Sequence, residues 1–229
     1  MSEKIQAMFA DIAPTYDKAN HLLSFNKDIQ WRQDSVKQLL NDGFEPKMVL
    51  DLCAGTGDFA LAVKARVPTA KIIMADFAKP MLRIARDKAG SQQGIDFLEA
   101  DALKLPFHDM AFDTVVCGFG VRNLDSLETG LKEVARVLKP GGKAVILEFF
   151  KPTGFLTRLA HAFYVGTIVP LRGGAVSNNK EAYDYLQRSA KNFASLNEFK
   201  QLMEKCGFKD VSSESKTMGV AVSVLGVRK

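Results

Sequence analysis

The sequence predicts an α/β fold: an open, mostly parallel sheet with helices on both faces, closed by a C-terminal antiparallel hairpin. Three observations predict it. Between residues 48 and 150, short apolar runs alternate with stretches of helical periodicity, the pattern of successive βαβ units. A glycine-rich turn, DLCAGTGDFA at 51–60, ends the first of those runs. Near the C-terminus two further strand-like runs are joined by only KTMG, too short for a crossover, so they must pair antiparallel.

The elements follow in order. Ile5, Met8, Phe9 and Ile12 fall at i, i+3, i+4 and i+7, predicting a short amphipathic helix that Pro14 ends. A second helix is expected from Asp28 to Leu40, burying Ile29, Val36, Leu39 and Leu40, with Trp31 in the core. MVLDL (48–52), KIIMAD (71–76), IDFLEAD (95–101), DTVVCGF (113–119) and KAVILEFF (143–150) read as strands. Helices begin near Asp58, at Pro80, which suits a first helical turn, and at Asp125, where Asp125 and Glu128 would form a capping box. Pro140-Gly141-Gly142 should stop the last of these. SLNEFKQLMEKC (195–206) has a Ser-x-x-Glu start and Gly207 just past its end, the marks of a capped helix.

With 229 residues, 47% hydrophobic and 25% charged, the chain suits one globular domain and excludes disorder. We divide it into a helical N-terminal cap (1–45), a cofactor-binding core (46–150), a helical insertion (151–194) and a C-terminal helix with hairpin (195–229). Cys53, Cys117 and Cys206 are scattered, without metal-ligand spacing or a disulfide framework, which points to a reducing cytoplasm and no metal. The N-terminal stretch carries Glu3 and Asp11 and no long apolar core, so no signal peptide is expected. No run approaches the roughly 20 apolar residues of a membrane span. The net charge of +5 is compatible with nucleic acid, an anionic membrane surface, or nothing in particular. There is no arginine block or zinc-finger spacing to suggest nucleic acid.

Gly55-Thr56-Gly57 followed by Ala60, with Asp76 further on, satisfies a dinucleotide-binding fingerprint. Charge opposes that reading. Asp51 precedes the glycines and Asp58 follows them. Two unit charges about 4 Å apart interact by about 4 kcal/mol at an effective dielectric near 20, so this turn would repel a pyrophosphate. It would welcome a sulfonium and an ammonium, both of which S-adenosylmethionine carries. Asp76 ends the second strand, where a carboxylate takes ribose hydroxyls. Asp101 and Ala102 end the third, placed for an adenine amino group and ring, and Phe77 and Met81 supply apolar surface. An open parallel sheet with such strand ends and a terminal hairpin is the architecture of class I S-adenosylmethionine-dependent methyltransferases.

IAPTYDKANHLLSFNKDIQWR (12–32), FGVRN (119–123), RVLKPGGKAVILEF (136–149), AYDYLQRSAKNF (182–193) and TMGVAV (217–222) resemble the signatures of the ubiquinone/menaquinone-biosynthesis C-methyltransferases, the UbiE/MenG family. The resemblance covers nearly the whole chain. It implies methyl transfer from S-adenosylmethionine, leaving S-adenosylhomocysteine, to a ring carbon of a prenylated quinol: demethylmenaquinol, or a methoxybenzoquinol in ubiquinone makers. It also implies cofactor contacts at Thr56, Asp76, Asp101, Ala102 and Gly118, with Tyr16 closing over the methionine end. The chain departs from the family at Asp28, where histidine is common, at Asn26, where glycine is usual, at Gly118 and at Met218 in TMG.

Ring-carbon methylation needs a carbon made nucleophilic by phenol deprotonation and aligned with the S–CH3 bond. Arg122 and Asn123 follow the fourth strand at the mouth of the site, and with Asp58 they form the expected catalytic group. The resemblance implies that the arginine acts as a base through water. A guanidinium is only a donor, so we expect Arg122 to stabilise the phenolate while water or Asp58 takes the proton. His21 is a further candidate acceptor. GFLTRLAHAFYVGTIVPLR (154–172) has an apolar helical face edged by Arg158 and Arg172. It is expected to be either a lid that receives the isoprenoid tail and touches the membrane surface, or a homodimer contact. Two alternatives stay open: another hydrophobic phenolic or isoprenoid acceptor, and a non-catalytic scaffold.

Overall fold

The computed structural model describes residues 3–151, 185 and 188–229; the 154–172 segment lies outside them. The strands are β1 (Met48–Leu52), β2 (Lys71–Asp76), β3 (Ile95–Glu99), β4 (Phe112–Gly118), β5 (Leu138–Glu148), β6 (Phe208–Lys216) and β7 (Ala221–Arg228). Among the described residues they form one sheet in the order β3-β2-β1-β4-β5-β7-β6. The first five pair in parallel, and β7 runs antiparallel to both β5 and β6. Strand order reverses direction between β1 and β4, where the loops leaving those two strands open a crevice. In open α/β sheets that is where ligands bind.

The helices are α1 (Glu3–Ser24), α2 (Lys27–Leu40), α3 (Asp58–Arg66), α4 (Lys79–Ala89), α5 (Leu127–Val137) and α6 (Leu196–Lys205). One face of the sheet is buried under α2, α3 and α4 through Trp31, Val36, Phe59, Val63, Leu82 and Ala85. The other is buried under α5 and α6 through Leu131, Val134, Phe199 and Met203. This explains why β1 and β4 read as nearly continuous apolar runs, since strands covered on both faces have no solvent side. The capping box at Ser195 and Glu198 forms as expected.

Four local expectations are corrected. Pro14 does not end α1, which continues to Ser24. Ala13 and Tyr16 on either side of it pack with Ala78 and Met81 at the start of α4, and this packing outweighs the hydrogen bond the ring removes. Ile29 is exposed on α2, while Trp31 and Ser35 are buried; Leu40 is half-buried. The N-cap of α5 is Ser126, whose hydroxyl accepts from the Thr129 N–H, so Asp125 forms no capping box. Lys139 to Gly142 do not precede β5 but bulge within it. Phe112 pairs with Leu138 and Thr114 with Lys143, leaving the Pro-Gly-Gly turn as the excursion.

Gly57 shows why the turn after β1 needs its glycines. It caps α3 at φ +86°, and a Cβ there would lie 2.8 Å from the Met74 sulfur and 3.2 Å from the Ala85 Cβ. Gly57→Ala should therefore cost about 2 kcal/mol, from left-handed strain together with overpacking against β2 and α4. Urea denaturation would read this directly.

Candidate active site

β1 carries Asp51 into the floor of the crevice. Its side chain is buried, at 1% exposure. Oδ2 accepts from the Ala60 N–H in the first turn of α3 at 2.9 Å. Oδ1 is buried without a hydrogen-bond partner among the described residues. Burial pushes this carboxyl up to about 7, against the lowering effect of the Ala60 N–H and Arg32; Asp76 and Asp58 add to the rise. The chain then turns through Cys53 at φ +54° and Gly55 at φ +55°. No atom lies within 4 Å of where a Gly55 Cβ would be, so a ligand can approach this backbone closely.

Asp76, at the end of β2, anchors the turn. Its Oδ2 accepts from the Gly55 N–H at 2.8 Å and its Oδ1 from the Ala78 N–H at 2.7 Å. Burial raises its pKa above the usual carboxylate range, opposed by those backbone donors. Asp76, Phe77, Asp101 and Ala102 line a narrow cleft whose walls Leu52, Cys53 and Leu124 complete. Met81 is not among its walls; it is buried under α1 with Ala13. Gly118 faces α3, with Phe59 3.1 Å from where its Cβ would be.

α1 covers the turn. Gln6 Nε2 donates to the Phe77 carbonyl at 2.8 Å, and the Thr56 hydroxyl donates to Asp17 Oδ1 at 2.5 Å. Lys88 of α4 ties these elements together, pairing with Asp17 at 2.8 Å and also with Asp58. Asp58 is thus charge-matched by Lys88, so the repulsion of a pyrophosphate rests on Asp51 and Asp76. Tyr16, on the same helix, has its phenol shifted upward by burial, while Arg122 and Arg32 oppose the shift. That places its hydroxyl within the field of both arginines.

The loop after β4 carries the second half. Phe119, at φ +59°, is held in an aromatic group with Trp31 and Phe149, at centroid distances of 6.2 and 4.6 Å. Its carbonyl accepts from Arg122 Nη1 at 2.7 Å. The same nitrogen donates to Glu148 Oε1 at 2.6 Å, a pair whose side chains are 3% and 0% exposed. Arg122 Nε is buried without a partner among the described residues. Burial raises the Glu148 carboxyl, and Arg122 holds it down. Asn123 Oδ1 accepts from the Tyr185 hydroxyl at 2.9 Å. Arg122 and Asn123 thus share the loop that leaves β4, while Asp58 stands on the first turn of α3, after the loop that leaves β1.

Beside Asp58, the His21 Nδ1 lies 2.9 Å from Asp28 Oδ2. Asp28 Oδ1 accepts from the Ser24 hydroxyl at 2.5 Å, and Arg32 Nη1 donates to Asp28 Oδ2 at 2.9 Å.

A model of the ubiE/COQ5 methyltransferase family matches residues 1–228. The chain belongs to that family. Among its relatives, the demethylmenaquinone methyltransferase of Thermus thermophilus is 46% identical over 96% of this chain and 100% of its own length. The enzymes of the same name from Deinococcus radiodurans and Staphylococcus carnosus are 40% and 38% identical, each over 99% of this chain and 93% and 94% of their own. The fold is shared with a SAM-dependent methyltransferase of Thermotoga maritima, at TM-score 0.68 and 23% identity over 97% of this chain and 99% of that one. It is also shared with human N-acetylserotonin methyltransferase, at TM-score 0.63 and 19% identity over 93% and 57%.

Several residues of this methyltransferase site escaped the sequence reading. Glu148 had a signal: it ends an apolar strand, as Asp76 does, and the same rule applies to it. Asp17 and Tyr185 lie within quoted signature stretches but nothing there marks them out, and Lys88 had no signal, because nothing local says that α1, α4 and the residue at 185 converge on the turn.

Proposed function

We propose that this methyltransferase transfers a methyl group from S-adenosylmethionine to a ring carbon of demethylmenaquinol. The observation that carries the reading is the buried Asp51 Oδ1, which has no partner among the described residues and so fits a ligand ammonium beside the glycine turn. Asp76, Phe77, Asp101 and Ala102 would face the adenosine, with polar groups for its hydroxyls and amine and apolar surface for its ring, and Tyr16 would close over the methionine end. Bound there, the cofactor supplies an electrophilic methyl on a sulfonium.

Asp51 and Asp76 hold the ligand's polar ends and turn anionic phosphates away. Arg122, fixed by Glu148 and the Phe119 carbonyl, retains an unbonded Nε–H that stabilises a phenolate oxygen as charge develops on it. Asn123, steadied by Tyr185, orients the ring. The chemistry calls for no metal, because a phenolate ring carbon is nucleophilic enough for a sulfonium methyl. A polyprenyl tail keeps the acceptor in lipid. The enzyme accordingly works on the cytoplasmic side at the membrane surface. Among the described residues no helix is long and apolar enough to cross a membrane.

The test is transfer of labelled methyl to chemically reduced demethylmenaquinone, beside a methoxybenzoquinol. Label in demethylmenaquinol is expected. Tight cofactor binding without label in either quinol would favour a different hydrophobic acceptor, and no cofactor binding would favour a scaffold.

A further inference from the structure

Resting on that reading, the geometry points to His21 as the base that takes the acceptor's phenolic proton, with Asp28 as the residue that positions it. The two other side chains of the expected catalytic group are less suited to the role. Arg122 is a donor only, and it spends Nη1 on Glu148 and the Phe119 carbonyl. Asp58 holds the Lys88 ammonium. The His21 imidazole is different. Its Nδ1 faces Asp28 at 2.9 Å, and its side chain is 29% exposed against 4% for Asp28.

Asp28 is built to stay ionised. Burial works to raise its carboxyl, but the Ser24 hydroxyl, Arg32 and His21 together hold it below the usual value. An ionised Asp28 accepts, so Nδ1 must donate, and Nε2 is left as the acceptor. One oxygen of Asp58 and a ring nitrogen of His21 lie within 4.8 Å of each other and of Asp28, which places the ring at the edge of the cofactor turn. Arg32 continues the connection, with its Cζ 5.5 Å from the Phe119 ring centroid, and Phe119 holds Arg122. Arg32, bonded to Asp28, and Arg122 thus both lie against the Phe119 ring. The charged groups facing the ring are Asp28 and Arg32 from α2 and Asp58 from α3, with Lys88 of α4 and Asp17 of α1 behind Asp58. Since Arg32 and Lys88 already neutralise both carboxylates, this is a site for a proton rather than for a metal cation.

The step balances. The phenol O–H breaks and its proton forms an N–H bond at His21 Nε2, leaving the electron pair on oxygen. The ring carbon bonds the methyl as the S–C bond breaks, with that electron pair remaining on sulfur. The ring C–H proton is then lost through water while the ketone oxygen left by the alkylation takes up a proton, which restores the aromatic ring, and the imidazolium releases one proton to solvent.

The experiment compares wild type with His21→Asn and Asp28→Asn. At saturating cofactor, His21→Asn should lower kcat by about 10²–10⁴-fold with little change in cofactor KM. It should also flatten the rise of kcat with pH and recover part of its rate with added imidazole. In the wild type without cofactor, NMR of ring-labelled histidine should show the His21 proton on Nδ1, a state that Asp28→Asn loses while its unfolding transition remains cooperative. Three results would each overturn the proposal: unchanged kcat and pH profile in His21→Asn, a rate loss that imidazole does not rescue, or a wild-type proton on Nε2. A wild-type protein that methylates no quinol would overturn the underlying reading instead, and this inference with it.

Discussion

Arg122→Ala should lower methyl transfer by about 10²–10³-fold, the cost of removing a donor aimed at developing negative charge. The same change should destabilise the fold by about 3–5 kcal/mol, because Glu148 is left buried without its counter-charge. Glu148 has 0% side-chain exposure, and its carboxyl is already raised by burial with Arg122 opposing. A raised folded-state value means stability that is complete below the unfolded carboxyl range and is lost as pH rises through the folded value. Removing Arg122 raises the folded value further, so Arg122→Ala should become progressively less stable than wild type as pH increases. A control separates folding from chemistry. Arg122→Met with Glu148→Leu replaces the pair by apolar groups, which is often neutral or stabilising. That double variant should regain stability in urea and remain inactive. Recovery of activity along with stability would make Arg122 structural.

Cofactor affinity should rise as pH increases from about 5 to 7, by up to tenfold per unit, and level off above the Asp51 value. In the free protein Asp51 is raised to about 7, first by burial. An ammonium at its unpartnered Oδ1 favours the ionised form, so binding below that pH must release a proton. Calorimetry in buffers of different ionisation enthalpy measures the release. Asp51→Asn should remove most of this dependence and weaken binding at pH 8 by about 10–100-fold, the worth of one charge-assisted hydrogen bond. Asp76, also raised by burial, leaves a smaller residual slope. The same variant should be more stable than wild type without cofactor at pH 8, because folding then no longer buries an ionised carboxylate. Its stability should also lose the decline that Asp51 imposes between about pH 4 and 7.

How much of this was legible depended on where the determining physics lies. β1 and β2 were readable to the residue, because runs buried on both faces leave little alternative and the glycine turn marks where β1 ends. α6 was readable because Ser195, Glu198 and Gly207 mark its ends chemically. Pro14 misled, since a local rule there yields to the packing of α1 on α4. Lys139 to Gly142 misled because a turn inside a strand looks the same in sequence as a turn before it. The departures at Asn26 and Met218 become intelligible only in three dimensions. Both adopt positive φ, +59° and +54°, a conformation that costs glycine nothing.

The site divides in the same way. Asp51, Gly55, Asp76 and Asp101 follow from strand ends alone, because the sheet topology sends every such end to one crevice. The pairings that hold the rest of the site do not. Lys88 is 71 residues from Asp17, Glu148 is 26 from Arg122, and Tyr185 is 62 from Asn123. Each pairing is created by helices and loops closing over the crevice.

The most direct test of the account is the fate of a ¹³C-methyl group supplied on S-adenosylmethionine to the wild-type enzyme with reduced demethylmenaquinone. The account predicts an aryl-bound methyl on the quinone ring carbon in the NMR spectrum of the extracted product. A methoxy resonance, or recovery of unlabelled demethylmenaquinone while the cofactor is bound, would contradict it.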